Sequence, residues 1–375
     1  MNLTIIGPSK KFLSGITYYT IRLANVLNNQ HHISIITINN LLPKFLFPGS
    51  NRVGKQLSDL EFDKTIKVCN CLNYYLFPGI LKATTFLRKQ NPDIIIMQWW
   101  SSSAAMNYLL LKVINKLFFN KKIIIEFHEI LDPLENNIWI LRIYVALISR
   151  LLFDNSDAYI VHSNFDKCLI NKTYKLDNDK IFVVPHGPYN HYFPKKIKKN
   201  KKKIFDILFF GLVRNYKGLK YLIEAFDKIP KGLISNFRLN IIGEIWDEKE
   251  TIYSMIEDSP YSNRIRLVNR YVSDEEVNLY FTLADVIVLP YIRASQSGVA
   301  QIAVSYGKPI IATDLVSLKE ALHDYKGALF VKPKNSEQIQ KCIWACFKKK
   351  KKLHAYNLTW EDILIEYTKI LHKIT

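Results

Sequence analysis

Short apolar runs alternate with amphipathic segments along most of the chain. Each run ends in Gly, Pro or a polar residue, and the segments between the runs have the three-to-four-residue spacing of apolar side chains that predicts helices. Continuous apolar strands separated by helices are typical of parallel sheets that are covered on both faces, so the pattern predicts an α/β protein. The predicted strands are 3–7, 33–38, 93–97, 122–127, 158–163, 181–185, 206–211, 238–244, 265–268, 285–290, 309–313 and 328–331.

These strands are too many for one ordinary sheet, and a charged segment separates the two sets of six. The stretch KKIKKNKKK, 195–203, has seven lysines in nine residues and predicts an exposed linker. We therefore expect two doubly wound, Rossmann-like domains, 1–190 and 204–352, joined by a linker at 191–203. A final segment, 353–375, contains a helix with an apolar stripe that can pack back on the first domain. Residues 39–75 show no clear period.

Composition limits the class of protein. The 375 residues carry a formal net charge of +19, which indicates an anionic partner or simply many solvated lysines. Five scattered cysteines do not form a disulfide framework, and no histidines accompany them at zinc-like spacing. We expect no secretory signal, because the apolar part of the first residues is short and runs into a glycine turn. We also expect no membrane span, since Arg142 and Arg150 interrupt the nearest candidate, 137–153. That candidate predicts a mostly buried helix or one with an interfacial face.

The loop after the strand at 206–211 carries two glycines and two cations. It contains Gly211, Arg214, Lys217 and Gly218, and an amphipathic helix follows it. Ligands of open parallel sheets bind at the carboxyl ends of the strands, where a free helix N-terminus also favours an anion. Arg214 can fork across two oxygens while Lys217 acts as a point charge, so the loop predicts a phosphate site. The alternative is an ordinary glycine turn with two exposed cations.

Three further strand ends carry candidate residues. Ser297, Gly298 and Val299 open a predicted helix after the strand at 285–290, and together with the Arg–Lys loop they predict a diphosphate site. Ser14 and Gly15 stand at a similar position in the first half, where a plain loop is the alternative. His128 directly follows the strand KIIIEF and can supply a polar contact to a reacting group, or serve structure alone.

The chain resembles glycosyltransferase family 4, the retaining sugar-nucleotide transferases with the two-domain GT-B fold. FFGLVRNYKGLKYLIEAF is similar to the family's donor diphosphate loop, and LADVIVLPYIRASQSGVAQIAVSYGKPIIATD is similar to its donor-binding block. VVPHGPYNHYFP resembles the interdomain segment, IVHSNFDK the strand before it, and SGITYYTIRLANVL the acceptor-side loop. The resemblance implies two Rossmann-like domains facing each other across a cleft, with His128 near the donor sugar.

One feature departs from the family pattern. The family often has two glutamates eight positions apart in the donor block, and the corresponding positions here are Ala294 and Ile302. The chain instead resembles a branch with SQSGV in that block. The donor contacts that the resemblance then implies come from Gly211, Arg214, Lys217, Ser295, Gln296, Ser297, Gly298, Val299 and Glu320, and the acceptor contacts from Ser14 and Gly15.

The resemblance implies a catalyst that moves a sugar from a nucleoside-diphosphate sugar to a glycan or polyprenyl-linked acceptor with retention, in the assembly of cell-surface polysaccharide such as lipopolysaccharide or capsule. His128, Arg214 and Lys217 would be its catalytic residues. We expect no metal or other cofactor, because no acidic metal cluster is visible and two cations can stabilise the leaving diphosphate. We expect a cytoplasmic protein, peripheral at the inner face of the membrane, that makes contact with anionic lipid.

Three other classes of protein stay open at this point. A sugar-nucleotide epimerase shares the fold, and a non-catalytic sugar-nucleotide-binding protein is favoured by the missing glutamates. The net charge of +19 alone would also fit a nucleic-acid-binding protein, but the basic runs lack interleaved aromatics and no recognition motif is present. We therefore expect no nucleic-acid partner.

Overall fold

The computed structural model of the protein describes residues 1–12, 15–41, 60–130, 139–189, 204–294, 297–349, 353–354 and 357–375. The chain divides into two compact units. The first comprises Met1–Gly187 together with Thr359–Thr375, and the second comprises Pro188–Leu358. The predicted linker, 191–203, lies outside the described residues.

The first unit is built on a parallel sheet of seven strands in the order β3-β2-β1-β4-β5-β6-β7. The strand order runs outward in one direction from β1 and in the other direction from β4. In doubly wound folds, ligands bind at the point where the strand order reverses in this way. The strands are almost fully buried at the centre of the sheet, as their continuous apolar sequences require. They are β1 Asn2–Pro8, β2 His32–Asn40, β3 Lys67–Asn73, β4 Ile94–Trp99, β5 Lys122–Phe127, β6 Ala158–Val161 and β7 Ile181–Val183.

The helices of the first unit cover the faces of this sheet. Their buried residues recur every three or four positions and join the strand side chains in one apolar core. The helices are α1 Gly15–Leu27, α2 Gly79–Gln90, α3 Ala105–Phe118, α4 Trp139–Phe153, α5 Asn164–Tyr174 and, from the end of the chain, α12 Trp360–Ile374.

The second unit repeats the design with a six-stranded parallel sheet in the order β10-β9-β8-β11-β12-β13. Its strands are β8 Phe205–Phe210, β9 Phe237–Ile242, β10 Ile265–Val268, β11 Val286–Leu289, β12 Ile310–Thr313 and β13 Ala328–Val331. Its helices are α6 Leu219–Asp227, α7 Lys249–Glu257, α8 Asp274–Leu283, α9 Gly298–Ser305, α10 Val316–Ala321 and α11 Ser336–Lys348. All twelve predicted strands are present, and the α/β fold class is confirmed.

Strand β3 was not predicted. Its sequence, KVCNCLN, mixes polar and apolar residues because it lies at the edge of the sheet and is only partly buried. Its register against β2 also shifts on both sides of Leu72, which breaks any regular alternation. Pairing with β2, rather than local hydrophobicity, therefore makes this segment a strand.

Helix α12 belongs to the first unit although it ends the chain. Thr359 and Asp362 form a capping box that fixes its start. Its apolar stripe is buried, and the helix packs against α1. The stripe consists of Trp360, Ile363, Leu364, Tyr367, Ile370 and Leu371.

Gly218 provides a test of the turn that opens α6. Its φ of +64° is left-handed, and a Cβ atom there would lie 2.1 Å from the carbonyl oxygen of Pro290. We expect Gly218→Ala to lower the free energy of unfolding by about 2 kcal/mol or more, because both the backbone and its neighbour would be strained. Calorimetry should show the melting temperature of the second unit falling by about 4 °C or more.

The control is Gly232→Ala, since nothing lies within 4 Å of a Cβ atom at that glycine. Equal melting temperatures for the two variants would contradict the requirement for glycine at position 218.

Candidate active site

Two glycines bring the loops after β8 and β9 together. Gly211 has a φ of +98° and Gly243 a φ of +141°. A Cβ atom on Gly243 would lie 2.1 Å from the carbonyl oxygen of Gly211, so a side chain at position 243 would separate the loops. The carboxyl edge of the second sheet therefore presents closely packed backbone, which a ligand can approach.

Lys217 lies next to that glycine loop. It ends a short 3-10 turn, Asn215–Lys217, and its ammonium lies 5.6 Å from the centre of the Tyr291 ring. A Cβ atom on Gly211 would be 3.1 Å from the Lys217 Nζ and 3.3 Å from a methyl carbon of Val299. The structure thus brings Gly211, Lys217 and the first turn of α9 to one place, as the phosphate prediction requires.

The Lys217 ammonium has no carboxylate beside it within the described part of the chain. No hydrogen bond or ion pair joins it to a described residue. Burial and the nearby Arg214 lower the pKa of Lys217 to about 8. A half-buried cation of this kind is poorly compensated by the protein, and an anionic ligand would supply the missing charge.

Arg214 is held at the edge of the same loop. Its Nε donates to Asp247 Oδ2 at 3.1 Å, and its guanidinium lies 5.5 Å from the centre of the Trp246 ring. Asp247 also accepts from the backbone N–H of Asn215 at 3.2 Å. These contacts use Nε and one face of the guanidinium, so the two terminal amino groups stay suited to a forked contact with phosphate oxygens.

Ser297 caps the helix that faces Lys217. Its Oγ accepts from the backbone N–H of Ala300 at 3.2 Å. Helix geometry leaves the N–H groups of Gly298 and Val299 without partners inside the helix, and the positive end of the helix dipole lies there. Gly298 lies close to Tyr189, whose hydroxyl would be 3.2 Å from a Cβ atom at that glycine.

A small pocket of about 70 Å³ adjoins the glycine loop at the carboxyl ends of β8, β9 and β10. Arg270 forms a two-point ion pair with Glu276 at its edge, with N–O distances of 2.9 and 2.5 Å. The residues that line the pocket are Phe210, Gly211, Leu212, Gly243, Glu244, Arg270, Tyr271, Val272 and Val277. The pocket is therefore continuous with the candidate phosphate loop.

The other predicted donor and acceptor residues are placed less closely. Glu320 is half-buried on α10, a helix joined to the loop before α9 by a hydrogen bond from Ser317 Oγ to Ala294 O at 2.8 Å. Gly15 begins α1 and is exposed. Three more, Ser14, Ser295 and Gln296, lie outside the described residues.

In the first unit, His128 follows β5 as predicted, and its ring is buried with both nitrogens engaged. Nε2 faces Gln98 Oε1 in a short contact, and Nδ1 lies 3.2 Å from His162 Nε2. Burial lowers the pKa of His128, and the neighbouring His162 and His186 lower it further. The ring is thus part of a hydrogen-bonded group, a feature that the sequence pattern did not predict.

Glu126 is the residue of this group that sequence reasoning missed. It pairs in register with Gln98 across β4 and β5 and is fully buried. Tyr19 Oη donates to its Oε1 at 2.6 Å, Gln98 Nε2 donates to its Oε2 at 2.5 Å, and Tyr367 on α12 also bonds to it. Burial raises its pKa to about 7 against the effect of these donors. A lone carboxylate in the apolar strand KIIIEF was the available signal.

Comparison with known families covers both halves of the chain. The model described as Glycosyltransferase Family 4 matches residues 13–188, and the model described as Glycosyl transferases group 1 matches residues 192–357. The chain belongs to glycosyltransferase family 4. This family assignment agrees with the two Rossmann-like domains of the GT-B fold, which the structure displays as two parallel sheets with their covering helices.

Two individual proteins similar to this glycosyltransferase cover about three fifths of its length. An uncharacterized 41.2 kDa protein in the cps region of Klebsiella pneumoniae is 27% identical over 236 residues, which are 61% of this chain and 62% of that protein. The O-antigen chain mannosyltransferase RfbU of Salmonella typhimurium is 24% identical, with 63% of this chain and 67% of that protein covered.

Among solved structures, Anabaena HepE in complex with UDP-glucose matches 99% of each chain with a TM-score of 0.68 and 12% identity. That likeness shows the fold alone. This glycosyltransferase covers less than two thirds of the length of several curated relatives, 62% of the Klebsiella protein among them.

Across the described residues of this glycosyltransferase, every helix is too short or too polar to cross a bilayer.

The lowered pKa of Lys217 predicts how nucleoside diphosphate binding depends on pH. In the free protein Lys217 loses its proton near pH 8, and an anion stabilises only the protonated form. We expect the affinity for UDP or GDP, whose phosphates are fully ionised above about pH 7.5, to fall as pH rises through 8, by up to about tenfold per pH unit.

Isothermal titration calorimetry between pH 7 and 10 measures this dependence. Lys217→Arg is the matched control, because arginine keeps its charge and should remove the decline. A similar decline in wild type and Lys217→Arg would exclude Lys217 as its source.

Proposed function

We propose that this glycosyltransferase moves a hexose from a nucleoside-diphosphate sugar to a glycan or lipid-linked acceptor with retention, in the assembly of cell-surface polysaccharide. The observation that carries the proposal is the Lys217 ammonium, which no described carboxylate neutralises, beside Gly211 and the N-terminus of α9. A diphosphate fits this arrangement by charge and by the number of available donors.

We propose that the adjoining pocket, which is small but continuous with the glycine loop, takes part of the nucleoside of the donor. Its walls combine backbone of Gly211 and Gly243 with the side chains of Tyr271, Val272 and Val277. Apolar and aromatic side chains with a few polar groups are the usual surroundings of a bound base and sugar. The complex of HepE with UDP-glucose, a protein of the same fold, supports a nucleotide sugar as the donor class.

The chemistry follows from where negative charge develops. As the bond between the sugar C1 and the β-phosphate oxygen breaks, charge builds on the diphosphate, and Arg214, Lys217 and the first amides of α9 stabilise it. The acceptor hydroxyl attacks C1 on the same face, and its proton passes to the departing phosphate oxygen. Two side-chain cations fill the role that a divalent metal has elsewhere, so we propose transfer without a metal.

His128 enters this scheme through position rather than through a free nitrogen. Both nitrogens of the His128 ring have partners inside the first unit. His128 directly follows β5, at the edge of the sheet where the ligands of such folds bind. We propose that the ring fixes the conformation of this strand end.

The test is transfer from a panel of nucleotide sugars to a lipid-linked glycan extract, followed by product anomer analysis. We expect Arg214→Ala and Lys217→Ala each to lower the rate about 100-fold or more, because each removes a charge-assisted bond to the leaving group. Chelation of divalent metals should leave wild-type transfer unchanged.

Lys220→Ala is the matched control for this experiment. Lys220 lies on α6, one turn further along, where its ammonium lies 5.4 Å from the Tyr221 ring. Wild-type transfer by the Arg214→Ala and Lys217→Ala variants would overturn the donor site. Epimerisation of the donor without transfer would favour the epimerase class instead.

We further propose that the protein docks on an anionic membrane through α3 and α4. These neighbouring helices expose two apolar stripes, Val113, Leu117 and Phe118 on α3 and Ile143, Leu147 and Leu151 on α4. Lys116 is exposed on α3, so apolar insertion and attraction to anionic lipid would act together. Arg150 is also exposed on α4, although an ion pair with Asp154 offsets part of its charge. The O-antigen chain mannosyltransferase supports a glycan chain as the acceptor class.

The basic loop at Lys10 and Lys11 is a second candidate for the membrane contact, and we favour it less than the helical surface. Lys10 forms an ion pair with Glu61, which offsets part of the charge that such a contact needs. The two lysine runs at 195–203 and 348–352 lie largely outside the described residues.

We expect the double variant Leu147→Glu, Leu151→Glu to bind anionic liposomes about tenfold more weakly or worse, because each leucine otherwise buries apolar area in the lipid. Flotation at low salt measures the binding. Ile365→Glu is the control, since Ile365 is about as exposed, at 52%, but lies on α12. An equal loss of liposome binding in the double variant and in Ile365→Glu would exclude α4 as the docking helix.

A further inference from the structure

A chain of buried polar side chains crosses the carboxyl edge of the first sheet, from a backbone carbonyl after β7 to α1 and α12. His162 Nδ1 lies 3.0 Å from Val184 O, His162 Nε2 lies 3.2 Å from His128 Nδ1, and His128 Nε2 faces Gln98 Oε1. Gln98 Nε2 then donates to Glu126, whose other oxygen accepts from Tyr19. We name these four residues, His162, His128, Gln98 and Glu126, the buried chain.

Counting donors along the buried chain fixes the protons. Val184 O can only accept, so His162 Nδ1 carries a proton. Between His162 Nε2 and His128 Nδ1 one nitrogen donates and the other accepts. Gln98 Oε1 can only accept, so His128 Nε2 must also carry a proton. The two rings then share three N–H protons, one more than two neutral rings hold.

The extra proton has a counter-charge within the buried chain. Glu126 accepts from Tyr19, Gln98 and Tyr367, as a carboxylate does, and its Oε1 lies 3.8 Å from His162 Nε2. A positive ring pair and a negative carboxylate leave the group neutral as a whole. This neutrality is what allows it to be buried without a large desolvation cost.

Turning the Gln98 amide by half a rotation gives the other consistent arrangement. Gln98 Nε2 would then donate to a neutral His128, and Oε1 would accept a proton from a protonated Glu126. Every hydrogen bond of the buried chain is again satisfied, and it again holds one proton. With no proton, at least one buried contact would join two acceptors. A second proton could be held only if Glu126 donated to a tyrosine hydroxyl instead of accepting from it, and the ring pair and Glu126 would then leave the group with a net positive charge.

We propose that the buried chain holds a single shared proton and that Gln98 couples the protonation of Glu126 to that of the His128–His162 pair. Gln98 and Glu126 are then positioning residues for the transfer reaction, acting through His128 at the end of β5. That last step rests on the proposed function, whereas the shared proton does not.

Other groups that face the His128 ring bear on its titration. The Tyr19 ring of α1 lies edge-on to the His128 ring, with 4.8 Å between the ring centres. The ring of His186, which follows β7, has its centre 6.3 Å from that of His128. Tyr367 of α12 lies 3.4 Å from the Tyr19 hydroxyl. Burial lowers the pKa of His186 to about 3 and that of His162 to about 4. Burial by itself therefore favours neutral rings, and only the hydrogen bonds of the buried chain and the charge of Glu126 oppose it.

Glu126, His128 and His162 also offer ligand-type atoms within 4.8 Å of one another. Hydrogen bonds to Tyr19, to Gln98 and between the two rings already use the atoms of this group. The contacts therefore favour proton sharing, and binding of a metal is an outcome that the experiment must distinguish.

Spectroscopy on the ligand-free protein tests the shared proton without donor or acceptor. The ring nitrogens of ¹⁵N-histidine report three N–H protons or two, with signals assigned through His128→Gln and His162→Gln. The infrared carboxyl band that Glu126→Gln removes reports protonated Glu126. We expect the buried chain to hold one extra proton in total between about pH 6 and 8, either on the His128–His162 pair or on Glu126. A carboxylate beside two neutral rings, or a protonated Glu126 beside a charged pair, would overturn the proposal.

Gln98→Met tests the coupling, because methionine has similar volume and forms no amide hydrogen bonds. We expect Glu126 and the rings to titrate independently in this variant, and kcat to fall at least tenfold with a shifted pH profile and little change in KM. Glu366→Gln, on the exposed side of α12, is the control and should change none of these. Titration of Gln98→Met like that of wild type would exclude coupling through Gln98.

Tyr367→Phe is a second variant in case Gln98→Met does not fold. It removes one donor to Glu126 and should move the shared proton from the rings toward the carboxyl group. An unchanged distribution of the proton between the rings and Glu126 would count against the proposal. If one equivalent of added Zn²⁺ changed the signals of Glu126, His128 and His162 together, a metal site would replace the proposal. If the spectra behave as expected but wild type transfers no sugar, the proposed function fails while the shared proton stands.

Discussion

Parallel pairing of every strand gathers the carboxyl ends of the strands at one edge of each sheet. The loops that follow them must then lie side by side, whatever their distance in sequence. In the second unit this edge brings Gly211, Lys217 and the start of α9 together from segments more than 80 residues apart. In the first unit it brings Gln98, Glu126, His128 and His162 together. Both candidate sites depend on this one constraint.

The two edges handle charge in opposite ways. The second unit leaves a cation without a partner among its described residues, at a place where glycines hold the backbone close and a helix N-terminus adds positive potential. Such an arrangement is incomplete until an anion arrives. The first unit instead compensates its buried carboxylate internally, through tyrosine hydroxyls, an amide and two imidazoles.

Helix α12 links the end of the chain to that compensation. Its apolar stripe buries Tyr367 against the sheet, so that the hydroxyl reaches Glu126 and Tyr19. Trp360, at the start of the helix, packs so closely on Gly187 that a Cβ atom there would lie 2.6 Å from the indole ring. The last helix is thus a structural part of the first unit and completes the surroundings of the buried chain.

The sequence by itself determined the two sets of strands, the class of fold and the Arg–Lys glycine loop, because continuous apolar runs and glycines at strand ends are local signals. It also placed His128 at the end of β5. It did not predict β3, whose mixed composition becomes a strand only through pairing with β2. Nor did it predict the buried chain, since Tyr19, Gln98, Glu126, His162 and Tyr367 are scattered along the sequence and carry no common motif. Only tertiary structure decides which polar side chains lose water together, and a buried polar group must find its partner wherever the fold brings one within hydrogen-bonding distance.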